Sequence, residues 1–86
     1  MKRAMFIKRV QIGAGDALLY RLSDPIENTS TDNVVVSAVT APPFGKRVTV
    51  FSADKHGEIL SWKSLGEKVG TLDHEEVLID LGYQIL

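Results

Sequence analysis

The sequence predicts an α+β domain: an antiparallel β-meander of three to five strands with one C-terminal helix packed on one face. Three observations carry that reading. Short β-branched stretches alternate apolar and polar residues through the first two thirds of the chain. Gly, Pro and Asp clusters separate those stretches at short intervals. The segment with helical periodicity and signals for both caps, Asp73 to Gly82, comes last. Strands first and a helix last is the order of an α+β fold.

The elements follow in order. Met5 to Ile12 (MFIKRVQI) reads as a strand with Phe6, Val10 and Ile12 on one face and Lys8 interrupting it. Residues 1–12 thus form an N-terminal strand or arm. Gly13-Ala14-Gly15-Asp16 is a turn, because glycine tolerates the positive φ of tight hairpins. Ala17 to Leu22 places Leu18, Tyr20 and Leu22 on one face. The polar stretch Ser23 to Asp32 is long for a hairpin loop. Asn33 to Thr40 (NVVVSAVT) is β-branched and apolar on both faces, which suits a central strand. Ala41-Pro42-Pro43-Phe44-Gly45 cannot continue a ladder, since proline lacks a donor, and it is open to a cis X-Pro bond. Arg47 to Ala53 alternates again, with Val48 and Val50 opposite Thr49 and Phe51. Asp54 to Gly57 is a turn and Glu58 to Trp62 a short strand. Lys63 to Thr71, with Gly66 and Gly70, reads as a loop.

The closing stretch TLDHEEVLIDLGYQIL holds a histidine beside two carboxylates. Such a group can bind metal or move protons, but helix capping explains it better. Asp73 is a good N-cap, and Glu76 stands three residues on, as in a capping box. Glu75 and Glu76 lie in the first turn, where the helix dipole favours negative charge. Gly82 suits the positive-φ residue after the helix, with Tyr83 as its hydrophobic partner. At about 100° per residue, Val77, Leu81 and Leu78 form the core stripe with His74 one turn above them. Glu75 and Glu76 point elsewhere, so the three side chains do not converge.

Composition bounds the function. One domain spans residues 1–86, and a chain this short buries a thin core. There is no Cys, so no disulfide or thiolate metal site staples it. Small domains of this kind often gain stability by oligomerising, which favours a homodimer. The sequence contains no apolar run of membrane-spanning length and no signal peptide, so the expectation is a cytoplasmic protein with no membrane partner. Net charge is -1, but Lys2, Arg3, Lys8 and Arg9 precede the first acid, Asp16, while Asp73, Glu75, Glu76 and Asp80 cluster near the end.

No chemical motif stands out. His56 and His74 are too few and wrongly spaced for a zinc site, so no metal is expected. No serine sits in a Gly-x-Ser-x-Gly elbow, and Gly13-Ala14-Gly15 lacks the dinucleotide pattern, so no cofactor is expected either. Lys2, Arg3, Lys8 and Arg9 around Phe6 are candidate nucleic-acid contacts, since a basic strand with an aromatic can hold a single strand. The pI near 6.1 argues against that partner. Ile79 falls away from the core stripe beside Glu75, and Trp62 is the sole tryptophan in a polar-flanked segment. These three residues are the candidate protein interface, because aromatic anchors dominate interface energetics.

ALLYRL, NVVVSAVT, VTVFSAD, GEILSW and SLGEKVGTLDHEEVLIDLGY, in that order, resemble a group of small uncharacterised proteins of actinobacterial tailed phages, mycobacteriophages above all. The likeness runs from Ala17 to Tyr83, and the Asp-His-Glu-Glu…Gly-Tyr ending carries most of it. The resemblance implies a phage accessory protein in the host cytoplasm, and implies no activity, cofactor or catalytic residue. The leading expectation is therefore a non-enzymatic module that binds itself or a host bacterial protein. A nucleic-acid-binding accessory protein is the alternative, and a small enzyme with an unrecognised site the third reading.

Overall fold

Val34, Val35 and Val36 are consecutive and all buried, so the strand that carries them is covered on both faces. The computed structural model, which describes residues 1–12, 15–27, 29–43 and 45–86, builds a six-stranded sheet around it. The strands are β1 (Arg3–Val10), β2 (Asp16–Leu22), β3 (Asn33–Ala41), β4 (Gly45–Ala53), β5 (Ile59–Val69) and β6 (Gln84–Ile85), with helix α1 (His74–Asp80) before the last. Their order across the sheet is β5-β4-β3-β2-β1-β6. Each of β1 to β5 runs antiparallel to its neighbour, and β6 runs parallel to β1. The molecule is mostly β with one short helix, broadly α+β. Of the expected turns and connections, Gly13, Ala14, Asn28 and Phe44 lie outside the described residues. The Pro42–Pro43 bond is cis.

The helix face of the sheet carries the larger core. Tyr20, Leu22, Val34, Val36, Val48 and Val50 pack there against Val77, Leu78 and Tyr83. On the far face a smaller cluster of Ala17, Leu19, Val35 and Ala53 is covered by Val10, Ile12 and Ile59. The turn after β4 helps close it. Asp54 accepts from the backbone N–H of His56 at 2.8 Å and of Glu58 at 3.0 Å, which folds Gly57 down onto Val10 and Leu19. Chiefly the Glu58 bond holds the Asp54 carboxyl below its usual range.

Three expectations need correction. First, Phe6 does not share a face with Val10 and Ile12. The register of β1 on β2 shifts between Phe6 and Lys8, so one extra residue at Ile7 turns the rest of the strand over. Phe6 pairs with Tyr20 on the helix face, their rings edge-on at 5.9 Å, while Val10 packs into the far-face cluster. Second, where a short strand and then a loop were expected over residues 58–71, residues 59–69 form one strand of 11 residues, β5. Gly66 sits inside it because Leu81 packs there: a Cβ at Gly66 would lie 3.0 Å from Leu81 Cδ1. Third, the sheet exceeds the expected three to five strands, and the helix is not the last element. After it, Gln84 N–H donates to Lys2 O at 2.8 Å and Leu86 N–H to Ala4 O at 2.9 Å, forming β6.

The helix ends as its sequence directs. Asp73 accepts from Glu75 N–H at 2.9 Å. Gly82 adopts φ 97°, its N–H donates to Ile79 O, and Tyr83 N–H donates to Leu78 O, a Schellman close. The capping box itself is not closed by Glu76. Thr71 Oγ1 takes the Asp73 N–H at 3.0 Å, and Glu76 instead lies 3.8 Å from Lys68 on β5. Lys68 also bonds Asp80 at 3.0 Å, which raises the lysine's pKa and ties the helix to β5. Asp73→Ala should cost about 1 kcal/mol in urea unfolding, while Glu76→Ala should cost less, having no capping bond to lose.

Candidate functional site

Trp62 is 67% exposed although it is the largest apolar side chain in the sequence. It stands on β5 and meets Phe51 of β4 edge-on at 5.2 Å. Phe51 pairs with Val35, so both rings lie on the far face, away from the helix. Ile12 and Val39 complete an apolar groove of about 320 Å³ with Ser37, Thr49 and Arg47 at its polar margin. The groove is open to solvent. Gly15 belongs to it as well, since a Cβ there would strike Val39 at 2.4 Å. The irregular β4–β5 register between Val50 and Ala53 brings Trp62 to this side. An exposed Trp on an aromatic support, ringed by hydroxyls and a guanidinium, has the anatomy of a contact hot spot.

The other two candidate interface residues are elsewhere. Ile79 is 55% exposed on the outer side of the helix, and Glu75 is exposed one turn before it. The sheet lies between them and Trp62, so the three do not form one surface. Glu75 acts instead on Tyr20, whose pKa is raised first by burial and then by the Glu75 charge.

The basic N-terminal residues are also divided. Lys2 donates to Leu81 O at 3.1 Å and lies 4.7 Å from the centre of the Tyr83 ring, so it serves the helix C-terminus. Arg9 pairs with Asp16. The shift at Ile7 puts Arg9 on the helix face and Lys8 on the far face, where Arg3 also lies. A continuous phosphate-tracking stripe needs its cations on one face; these four are split between two.

His74 is a positioned structural residue. Its Nε2–H donates to Asp16 O at 2.9 Å, tying the helix start to the start of β2. His56 lies in the exposed turn after β4. Among the described residues, no three His, Asp or Glu side chains stand together as a metal site, and no buried side-chain polar atom lacks a partner. Among those residues no helix is long and apolar enough to cross a membrane.

Burial lowers the His74 pKa, and Arg9 lowers it further against the pull of Asp73. The folded protein therefore holds the proton less well than the unfolded chain. This contribution to stability is full above the ordinary value of 6.5 and is lost as pH falls through the lower folded value. Thermal melts from about pH 7 to about pH 5 should show a steeper loss in the wild type than in His74→Gln.

No family model, curated protein or solved structure matches this chain.

Sequence reasoning found Trp62 but missed its neighbours. Ile12, Val39 and Phe51 come from separate segments and meet only through the sheet register. Sequence reasoning also put Phe6 on one face with Val10 and Ile12, and passed over Met5-Phe6-Ile7 as a run of exposed apolar residues.

Proposed function

We propose that this chain is a non-enzymatic protein-interaction module whose contact surface is the far-face groove around Trp62. It acts on itself or on a host bacterial protein, as an accessory protein of a tailed phage in the host cytoplasm. The exposure of Trp62 over Phe51 carries this reading, because a solvent-facing tryptophan on a rigid strand is an anchor with little ordering entropy left to lose. The divided basic residues count against nucleic acid. The likeness to phage proteins supports the host setting.

Light scattering on the wild type and on Trp62→Glu tests self-association, and affinity capture from an actinobacterial lysate tests a foreign partner. In one arm or the other, the wild type should associate and Trp62→Glu should not, at unchanged fold by circular dichroism. The expected loss of affinity is at least about thirtyfold, as for a hot-spot residue costing about 2 kcal/mol or more. A monomer that captures nothing overturns the proposal, as does a complex indifferent to Trp62→Glu.

A further inference from the structure

The outer edge of β1 is half covered. β6 pairs with Arg3 and Ala4 only. Its last bond among the described residues is Leu86 N–H to Ala4 O. Main-chain groups of a strand alternate between its two neighbours, so the next outward positions are Phe6 and, past the extra residue at Ile7, Arg9. Among the described residues no strand lies beside them. The apolar residues just past that cover are exposed: Met5 is 43%, Phe6 48% and Ile7 41% exposed. Three consecutive apolar residues on an unpaired edge are unusual, since edges are commonly shielded.

The charge beside that edge is one-sided. On the far face, Met5 lines a groove with Arg3 and Arg21, and Ile7 lines the adjoining one with Arg21 and Lys55. Lys8 shares that face. The acid in these grooves is Asp32, already 3.4 Å from Arg21. On the helix face the edge presents the Phe6 ring, and Arg9 there is paired with Asp16. A second copy complements this edge poorly, because the stretch MFIKRV has two cations and offers no acid to meet them.

We propose that the free edge of β1, from Met5 to Val10, accepts an extended segment of another protein as an added strand, with acidic residues directed to the Arg3, Lys8, Arg21 and Lys55 face and apolar residues directed to Phe6. Main-chain bonds to Phe6 and Arg9 supply the affinity, and the alternation of acid and apolar side chains supplies the specificity. This surface is separate from the Trp62 groove and does not depend on it.

The probe is a short synthetic peptide alternating Glu and Val, compared with its Lys–Val counterpart, followed by amide NMR shifts and hydrogen exchange in the full chain. The Glu–Val peptide should shift and protect the Phe6 and Arg9 amides, and the Lys–Val peptide should not. The doubly reversed variant Arg3→Glu/Lys8→Glu, altered at two exposed side chains, should weaken Glu–Val binding about tenfold and admit the Lys–Val peptide. Trp62→Glu should leave the Glu–Val response intact, which separates this edge from the groove. Equal response to both peptides, shifts confined to the Trp62 groove, or no response at millimolar peptide overturns the proposal.

Discussion

Leu78→Ala is expected to lower the unfolding free energy by about 2–5 kcal/mol. Leu78 is fully buried and belongs to the larger core, between the helix and the valines of β3 and β4. Its carbonyl also accepts the Tyr83 N–H that closes the helix, so the residue sits where packing and capping meet. A domain of this size has about 5–10 kcal/mol in total, so one truncation there removes a large share. Ile79→Ala, the adjacent and exposed position, should stay within about 0.5 kcal/mol. Urea unfolding of the pair decides which side of the helix faces the sheet. Equal costs would mean that the helix is not seated by Val77 and Leu78.

Gly57→Ala is expected to cost about 2–4 kcal/mol. The residue has φ 91°, a conformation that costs any Cβ-bearing residue energy, and its Cβ would lie 2.6 Å from Val10 Cγ1. Gly70 separates the two contributions. It has φ 85°, and a Cβ there would meet nothing within 4 Å, so Gly70→Ala should show the backbone cost alone, about 1–2 kcal/mol. The difference between the variants measures how tightly the turn after β4 closes the far-face cluster. If both cost the same, the turn does not press on Val10 and Leu19.

Local signals were legible in the sequence and non-local ones were not. The valine run of β3 announced a strand buried on both faces, and Asp73 and Gly82 announced the helix ends, because each signal is contained in a few adjacent residues. The extra residue at Ile7 was hidden, since MFIKRVQI alternates well enough to pass for a regular strand. Only the β2 register reveals that Phe6 and Val10 part company. Gly66 misled for the same reason. A glycine reads as a break until Leu81, distant in sequence, is seen to occupy the space beside it. β6 has two residues and exists because Lys2 and Ala4 offer carbonyls to it, so no local pattern marks it.

The candidate surfaces divide in the same way. Trp62 was visible as a lone aromatic in a polar segment. Its groove partners Ile12, Val39 and Phe51 come from separate segments, and the separation of Trp62 from Ile79 by the sheet follows from topology. The four basic residues near the N-terminus looked like one patch because they are close in sequence. The fold assigns Lys2 to the helix end, Arg9 to Asp16, and Arg3 and Lys8 to the opposite face.

Acrylamide quenching of Trp62 fluorescence tests the proposed interface most directly, because the chain contains one tryptophan and its emission reports on that position alone. In the isolated monomer the ring should be readily quenched. In the assembled species, whether a self-associated form or a complex with a captured partner that lacks tryptophan, quenching should fall several-fold and the emission should move to the blue. A stable complex in which Trp62 stays as accessible as in the monomer, with unchanged emission, would contradict the assignment of the far-face groove as the contact surface.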